Sequence, residues 1–270
     1  MVDNTQSSPS GSISGCGVCY NCRMGYAIAC TSKNRQVYGW QRNGGMAPYI
    51  LCDEKDLIAL PDELTYKDGA SVSCGFGTVY EAIEKIGVSG DDAVLVVGLG
   101  PVGMAALMLC RAMGAEKLIG VEMNEYRIKM VQDMGLVDHI VRPSDNAVEE
   151  IRALTGGHGV ERAIDCSASD AGRQIAIRAT RDWGESRSCR RGELSDHQSQ
   201  PGHDAQKTVY GSWVTSTWRM MELVEHLVRW GIHPGDLITD EFPLERADEA
   251  HALMASGKCG KVAVVFLEEE

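Results

Sequence analysis

Hydrophobic positions fall along this chain in two rhythms. Ala93–Val97 (AVLVV) is an unbroken, β-branched run of the kind a strand shows when a parallel sheet buries both its faces. Val102–Met113 then carries apolar residues at helical spacing and stops at Gly114, a residue suited to the left-handed turn that closes a helix. Leu118–Val121 returns to strand character and ends at Glu122. Farther on, "RAIDCSA" reads as another apolar strand, closed by Asp165 and Cys166. In "RMMELVEHLVRW", Met221, Leu223, Val224, Leu227 and Val228 are spaced as one helix face, which marks core. Strands alternating with helices predict an α/β fold with a doubly wound parallel sheet. No repeat or heptad pattern interrupts this alternation.

The junction after the first strand carries chemistry. Gly98, Gly100 and Gly103 form G-x-G-x-x-G, and Glu122 follows Gly103 by nineteen residues at the end of the next strand. Glycines there let the backbone approach a pyrophosphate, which sits on the free N–H groups of the helix N-terminus. A terminal acid suits the adenosine ribose hydroxyls and repels a 2′-phosphate, so NAD is expected over NADP. Arg127, a few residues on, is a further candidate for this pocket and weighs the other way. Glu122 as a plain surface acid is the simpler alternative.

Composition narrows the class. The chain has 270 residues, 44% of them hydrophobic and 24% charged, as in ordinary globular proteins. A net charge of −12 argues against nucleic-acid binding, which needs excess Lys and Arg to neutralise phosphates. No apolar run approaches the ~20 residues of a membrane span, and the polar N-terminus lacks the apolar core of a signal peptide. The expected compartment is cytoplasmic. Of ten cysteines, Cys16, Cys19, Cys22 and Cys30 crowd one short stretch with the spacing C-x2-C-x2-C-x7-C. Four thiolates fill every corner of a tetrahedral zinc site and leave no open position, so such a site is structural. Disulfides and an iron–sulfur cluster are the rival readings. Cys110 and Cys166, in apolar surroundings, read as core residues, and His226 and His233 as surface or capping residues.

A four-thiol knuckle upstream of a dinucleotide unit resembles the zinc-containing medium-chain alcohol dehydrogenases, including threonine and polyol dehydrogenases. "GCGVCYNCRMGYAIAC" resembles that family's structural zinc lobe, and "SCGFGTVYEAI" its crossing into the cofactor domain. "DEFPLERADEAHALMASGKCGKVAVVF" resembles its C-terminal helix and strand, and the likeness covers most of 15–183 and 207–267. The resemblance implies a Rossmann domain at 77–213 and a partial, β-rich, GroES-like catalytic domain at 1–76, completed by a return at 214–270. It implies Cys74 as a catalytic-zinc ligand, Thr78 near the nicotinamide, and zinc-assisted hydride transfer between a secondary alcohol or polyol and NAD. Homo-oligomers are implied as well.

Two departures qualify that expectation. The family's first Cys ligand and its Gly-His-Glu segment lie N-terminal to the zinc lobe, whereas here the first histidine is His139. The chain therefore reads as N-terminally truncated, and a non-catalytic remnant that keeps structural zinc or dinucleotide binding is the alternative function. Second, Gly184–Gln206 is almost wholly polar where the family holds a buried strand of its Rossmann sheet. A buried parallel strand of Glu, Ser, Arg and His strands charges, so this stretch reads either as a long surface loop or as the product of a shifted reading frame. With permitted codon choices Gly184–Cys189 can also read Gly-Val-Ala-Phe-Val in one shifted frame, and the next codons can read Val-Gly-Glu-Gly in the other. The encoding nucleotides test this: an apolar strand is expected in a shifted frame, and its absence from both frames removes the idea.

Overall fold

The computed structural model describes residues 13–189 and 206–266. They form two compact units, one from 13–77 with 214–266 and the other from 78–189 with 206–213. In the first unit, β1 (Ile13–Ser14) pairs antiparallel with β2 (Gln36–Val37), and the thiol-rich loop with its single helical turn α1 (Tyr20–Arg23) lies between them in sequence. Polar contacts pin this lobe where apolar ones are few. Tyr38 Oη accepts from the Asp53 backbone N–H and donates to Asp56, both at 2.9 Å. Ser14 Oγ donates to Asp53 at 2.7 Å, and Lys55 reaches the same carboxylate at 2.8 Å; together they hold the Asp53 carboxyl down to about 2.

Helix α2 (Tyr66–Ser71) starts on a capping box, with Thr65 and Asp68 satisfying each other's backbone N–H. Asp68 is buried, which alone would raise its pKa. The N–H groups of Gly235 at 2.7 Å and Thr65 at 2.8 Å outweigh burial, and the carboxyl lies below its ordinary value. His233 precedes the short 3-10 turn at Pro234–Leu237 without a side-chain cap, and its Nδ1 lies 3.4 Å from the same carboxylate. The chain then widens into a π-helical turn, Val72–Phe76, before α3 (Gly77–Ile86).

The second unit is built on β3 (Ala93–Val97), which is buried at every position. Each fully buried Val or Leu there contributes roughly 1.5–3 kcal/mol. In chain order follow α4 (Pro101–Ala112), β4 (Lys117–Val121), α5 (Glu125–Asp133), β5 (His139–Val141), α6 (Ala147–Leu154), β6 (Val160–Asp165), α7 (Asp170–Ala179), β7 (Thr180–Ser188) and β8 (Thr208–Gly211). The six strands lie in the order β5-β4-β3-β6-β7-β8, and every pairing is parallel. The order reverses between β3 and β6, so the carboxyl ends of those two strands frame the crevice where doubly wound sheets bind ligands. On one face Leu95, Val97, Ile119, Val121 and Ala163 pack with Ile151, Ile175 and Ala176.

Strand β7 corrects the expectation that Gly184–Gln206 excludes a buried strand. Glu185–Ser188 pairs with both β6 and β8, an interior position, and Ser186 and Arg187 are each 2% exposed. Small residues supply the fit: Gly184 lies where a Cβ would meet the Arg181 and Glu161 carbonyls at 2.9 Å. The buried cation is accommodated by its Nη2 donating to Gly211 O at 2.8 Å and by stacking on the Tyr210 ring. Residues 190–205 of the same stretch lie outside the described residues.

The first unit resumes with α8 (Thr217–Trp230), stopped by Gly231 at φ 64°. Its buried face is Met220, Leu223, Val224 and Leu227; Met221, expected on that face, is 53% exposed, because the stripe begins one residue earlier. Then come β9 (Ile238–Pro243), α9 (Ala247–Ser256) and β10 (Lys261–Val265), with β9 and β10 forming a two-stranded parallel sheet.

Replacing buried ionised groups by well-packed apolar side chains of similar volume is often neutral or stabilising by about 1–4 kcal/mol when no opposite charge is left behind. Arg187→Met is therefore expected to raise the thermal unfolding midpoint, followed by circular dichroism. A fall would mean that the Gly211 and Tyr210 contacts outweigh the desolvation of the guanidinium.

Candidate functional site

The turn after β3 is shaped by what glycine lacks. Gly98 sits at φ 86°, and a Cβ there would meet Ser167 N at 2.8 Å. A Cβ on Gly103 would run into Gly98 O, so α4 can start against β3 only with glycine at that place. Gly100 caps α4 and is followed by Pro101 at the first helical position, leaving the early N–H groups pointing out of the helix end. These three glycines and the N-terminus of α4 stand at the reversal of strand order.

Glu122 is buried and its carboxylate is fully oriented. Oε2 accepts from Leu99 N at 2.8 Å, and Oε1 accepts from Met123 N at 2.8 Å and Asn124 N at 3.0 Å. It is no surface acid. It clamps the middle of the glycine turn to the end of β4, a role that the motif spacing alone does not reveal. Arg127 projects from α5, whose N-cap is Asn124, to within 3.9 Å of Glu122 Oε2. Its Nη1 would lie 3.5 Å from a Cβ on Gly100, which brings the guanidinium over the turn. The Arg127 Nε is buried without a hydrogen-bond partner among the described residues.

The carboxyl end of β6 adds residues that the motif did not mark. Asp165 is 1% exposed; its Oδ1 accepts from Ser167 N at 2.9 Å and Ser167 Oγ at 2.6 Å, and its Oδ2 from Ser188 Oγ at 3.2 Å. It thereby ties β6 to β7 beside Gly98. Contact with the Cys189 thiol and burial push the Cys166 thiol well up, and burial pushes Cys110 up, so both stay neutral.

In the other unit the four clustered cysteines converge. Their Sγ atoms lie within 4.8 Å of one another, with Cys16–Cys22 at 4.0 Å and Cys19–Cys30 at 3.9 Å. Bonds of ~2.3 Å to one tetrahedral zinc place sulfurs roughly 3.8 Å apart, which these separations match. A disulfide would need ~2.05 Å, and all four cysteines are free. Backbone N–H groups point at the sulfurs: Cys16 N and Ser32 N at 3.4 Å from Cys30 Sγ, and Cys19 N at 3.3 Å from Cys16 Sγ. Such donors lower the Cys30 thiol, and those at Cys22 and Thr31 lower Cys19 to about 6, whereas burial pushes Cys22 up to about 12. Two glycines in this loop take close approaches that a side chain would block. A Cβ on Gly15 would stand 2.5 Å from Cys22 Sγ, and Gly25, at φ 83°, would meet Trp218 at 2.6 Å.

Cys74 lies in the π-helical turn with its side chain exposed, and Thr78 is half-buried in α3. Single π turns recur at functional sites. A catalytic zinc needs three protein ligands, yet among the described residues Cys74 belongs to no group of three or more metal-ligating side chains. The residues present do not fit that second metal. No helix of the described residues is long and apolar enough to cross a membrane.

A family model described as zinc-binding dehydrogenase matches residues 101–229. The chain is 48% identical over 257 residues to the uncharacterized zinc-type alcohol dehydrogenase-like protein YphC of Escherichia coli K12, covering 94% of this chain and 72% of that protein. It is 26% identical to L-threonine 3-dehydrogenase of Shewanella woodyi over 92% of this chain and 72% of the relative. Zinc-dependent alcohol dehydrogenase 2 of Streptococcus pneumoniae, in its apo form, superposes with a TM-score of 0.84 at 24% identity, covering 97% of this chain and 76% of that one, a likeness of fold.

Gly15→Ala is expected to crowd Cys22 Sγ out of the tetrahedron and to lower bound zinc per chain severalfold, measured by elemental analysis. Cys110→Ser should leave the zinc content unchanged. Equal zinc in Gly15→Ala and the parent would dissociate the thiol cluster from the metal.

Proposed function

The chain belongs to the zinc-type alcohol dehydrogenase family, and from that premise we propose that it binds NAD and exchanges a hydride with a secondary alcohol or polyol. The observation that carries the reading is the Glu122 carboxylate, held by three backbone N–H groups beside the glycine turn at the strand-order reversal. Gly98, Gly100 and Gly103 give the pyrophosphate room, and the N-terminus of α4 offers it N–H donors. Glu122 keeps lone pairs for the ribose hydroxyls and disfavours a 2′-phosphate. Arg127, over the same turn, offers a cation to the pyrophosphate. When bound, the nicotinamide supplies the hydride acceptor. Cys16, Cys19, Cys22 and Cys30 hold one structural zinc that closes their loop and touches no substrate. The family resemblance assigns Thr78 to the nicotinamide end and Cys74 to a catalytic metal whose other ligands are not found among the described residues. The 77–213 segment is the dinucleotide domain in this reading, and 1–76 with 214–270 the zinc-bearing one.

A second reading has a specific observation in its favour. Cys74 without companion ligands among the described residues suits a chain that binds dinucleotide and structural zinc without turning over alcohol.

One preparation separates the two. Zinc per chain, NADH fluorescence titration and alcohol-dependent NAD reduction are measured on the same sample. Saturable NADH binding that weakens about tenfold in Glu122→Gln supports the cofactor assignment, since a lost charged acceptor costs roughly 1.5–3 kcal/mol. Alcohol-dependent reduction with two zincs supports the dehydrogenase. One zinc with binding but no reduction supports the second reading. Absence of NADH binding overturns both.

A further inference from the structure

Asp165 is a buried carboxylate that the proposed hydride exchange does not use. It stands at the end of β6, the neighbour of β3 across the reversal of strand order. Among the described residues its partners are one backbone N–H and two hydroxyls, with no cation among them. Ser167 N at 2.9 Å and Ser167 Oγ at 2.6 Å donate to Oδ1, and Ser188 Oγ at 3.2 Å donates to Oδ2. A carboxylate taken out of water without a counter-ion depends wholly on such donors, so it holds them as firmly as they hold it.

Ser167 is the residue on which two turns close. A Cβ on Gly98 would meet Ser167 Cα at 2.7 Å, and one on Gly172, in the first turn of α7, would run into Ser167 Oγ. The ladder between β3 and β6 runs up to this place, with Cys166 N donating to Val97 O at 2.8 Å. Beyond it, Ser167 Oγ accepts from Ser169 N at 3.1 Å, and Ser169 caps α7 by accepting from Gly172 N at 3.0 Å. Between the two serines Ala168 is kept at φ 61°, a left-handed backbone that alanine takes only where its surroundings impose it.

We infer that Asp165 is a positioning residue for the dinucleotide crevice. Acting through Ser167, it holds the glycine turn from the β6 side, as Glu122 holds it from the β4 side. Glu122 bonds the Leu99 N–H of the turn directly; Asp165 works by contact, keeping Ser167 packed on Gly98. With both acids in place the turn cannot drift from either neighbouring strand, and the first N–H groups of α4 keep one direction. The inference rests on reading this turn as an NAD site and names a residue outside the glycine motif.

NADH fluorescence titration and amide hydrogen exchange at Leu99 are measured on the whole chain and its variants. Asp165→Ala should weaken NADH binding and speed Leu99 exchange, each about tenfold, the effect of losing a charged acceptor. Asp165→Asn, which keeps an acceptor for Ser167 N, should recover most of both. Ser188→Ala cuts only the tie to β7 and should leave both readouts within roughly twofold of the parent. Should Asp165→Ala fold poorly, Ser167→Ala carries the test, with affinity lowered about threefold or more, as one lost neutral hydrogen bond allows. Parent-like affinity and exchange in folded Ser167→Ala overturn the proposal, even if the unfolding midpoint falls. A loss in Ser188→Ala equal to that in Asp165→Ala also overturns it, since the carboxylate would then be a strand tie alone. NADH binding that weakens in Glu122→Gln but not in the Asp165 and Ser167 variants removes this proposal and leaves the NAD reading standing. A parent that binds no NADH removes that reading, and Leu99 exchange then decides whether Asp165 holds the turn.

Discussion

The dinucleotide-type unit depends on one close approach, that of α4 to the end of β3. Without Cβ atoms at Gly98 and Gly103 the first turn of α4 sits against the strand it follows, and the helix end opens onto the reversal of strand order. The approach is held from the far side by Glu122, whose carboxylate takes Leu99 N from the turn and Met123 N and Asn124 N from its own. One buried anion thus ties the ends of β3 and β4 together. Its desolvation is offset by three N–H donors, and its negative charge meets Arg127 across 3.9 Å. The geometry proposed to receive a pyrophosphate and the geometry that stabilises the turn are the same geometry.

Much of this was legible because the signals are local. The Ala93–Val97 run, the glycine spacing and the terminal acid all lie within one strand–helix–strand passage, where backbone sterics dictate the outcome. The thiol cluster was legible for a similar reason, since short spacings leave four sulfurs few ways to lie apart. What stayed hidden is non-local. The clamp on Leu99 and the Asp165 bridge to Ser188 join residues 23 apart in the chain, and spacing rules do not reach across strands. On α8 the expected face holds at Leu223, Val224 and Leu227 but starts at Met220 and not Met221, because adjacent methionines offer periodicity no way to choose between them. Strand β7 was misjudged for a physical reason: polarity predicts exposure, but Ser186 is small, and Arg187 finds a carbonyl and a tyrosine ring in the next strand.

The zinc-type unit follows a different logic. Its lobe has little apolar interior, and order comes from sulfur convergence and from the Tyr38, Asp53, Asp56, Ser14 and Lys55 contacts. A small region that cannot bury enough surface gains most from a metal that closes its loop. Trp40, Tyr49 and Leu51, all more than 70% exposed, show how little of this region is covered by its own described residues.

The π turn at Val72–Phe76 has a consequence for how the Cys74 position can change over time. Val72 and Phe76 both stay buried, at 0% and 1%, while Cys74 between them is turned outward. A regular α-helix advances about 100° per residue, so the extra residue in the wide turn resets the phase of everything after it. Deleting one residue here would keep the chemistry of every side chain and still swing the thiol toward the interior or drive Phe76 out of it. The direction of that sulfur is therefore written in chain length, and insertions and deletions, more than substitutions, are the changes to which it is sensitive.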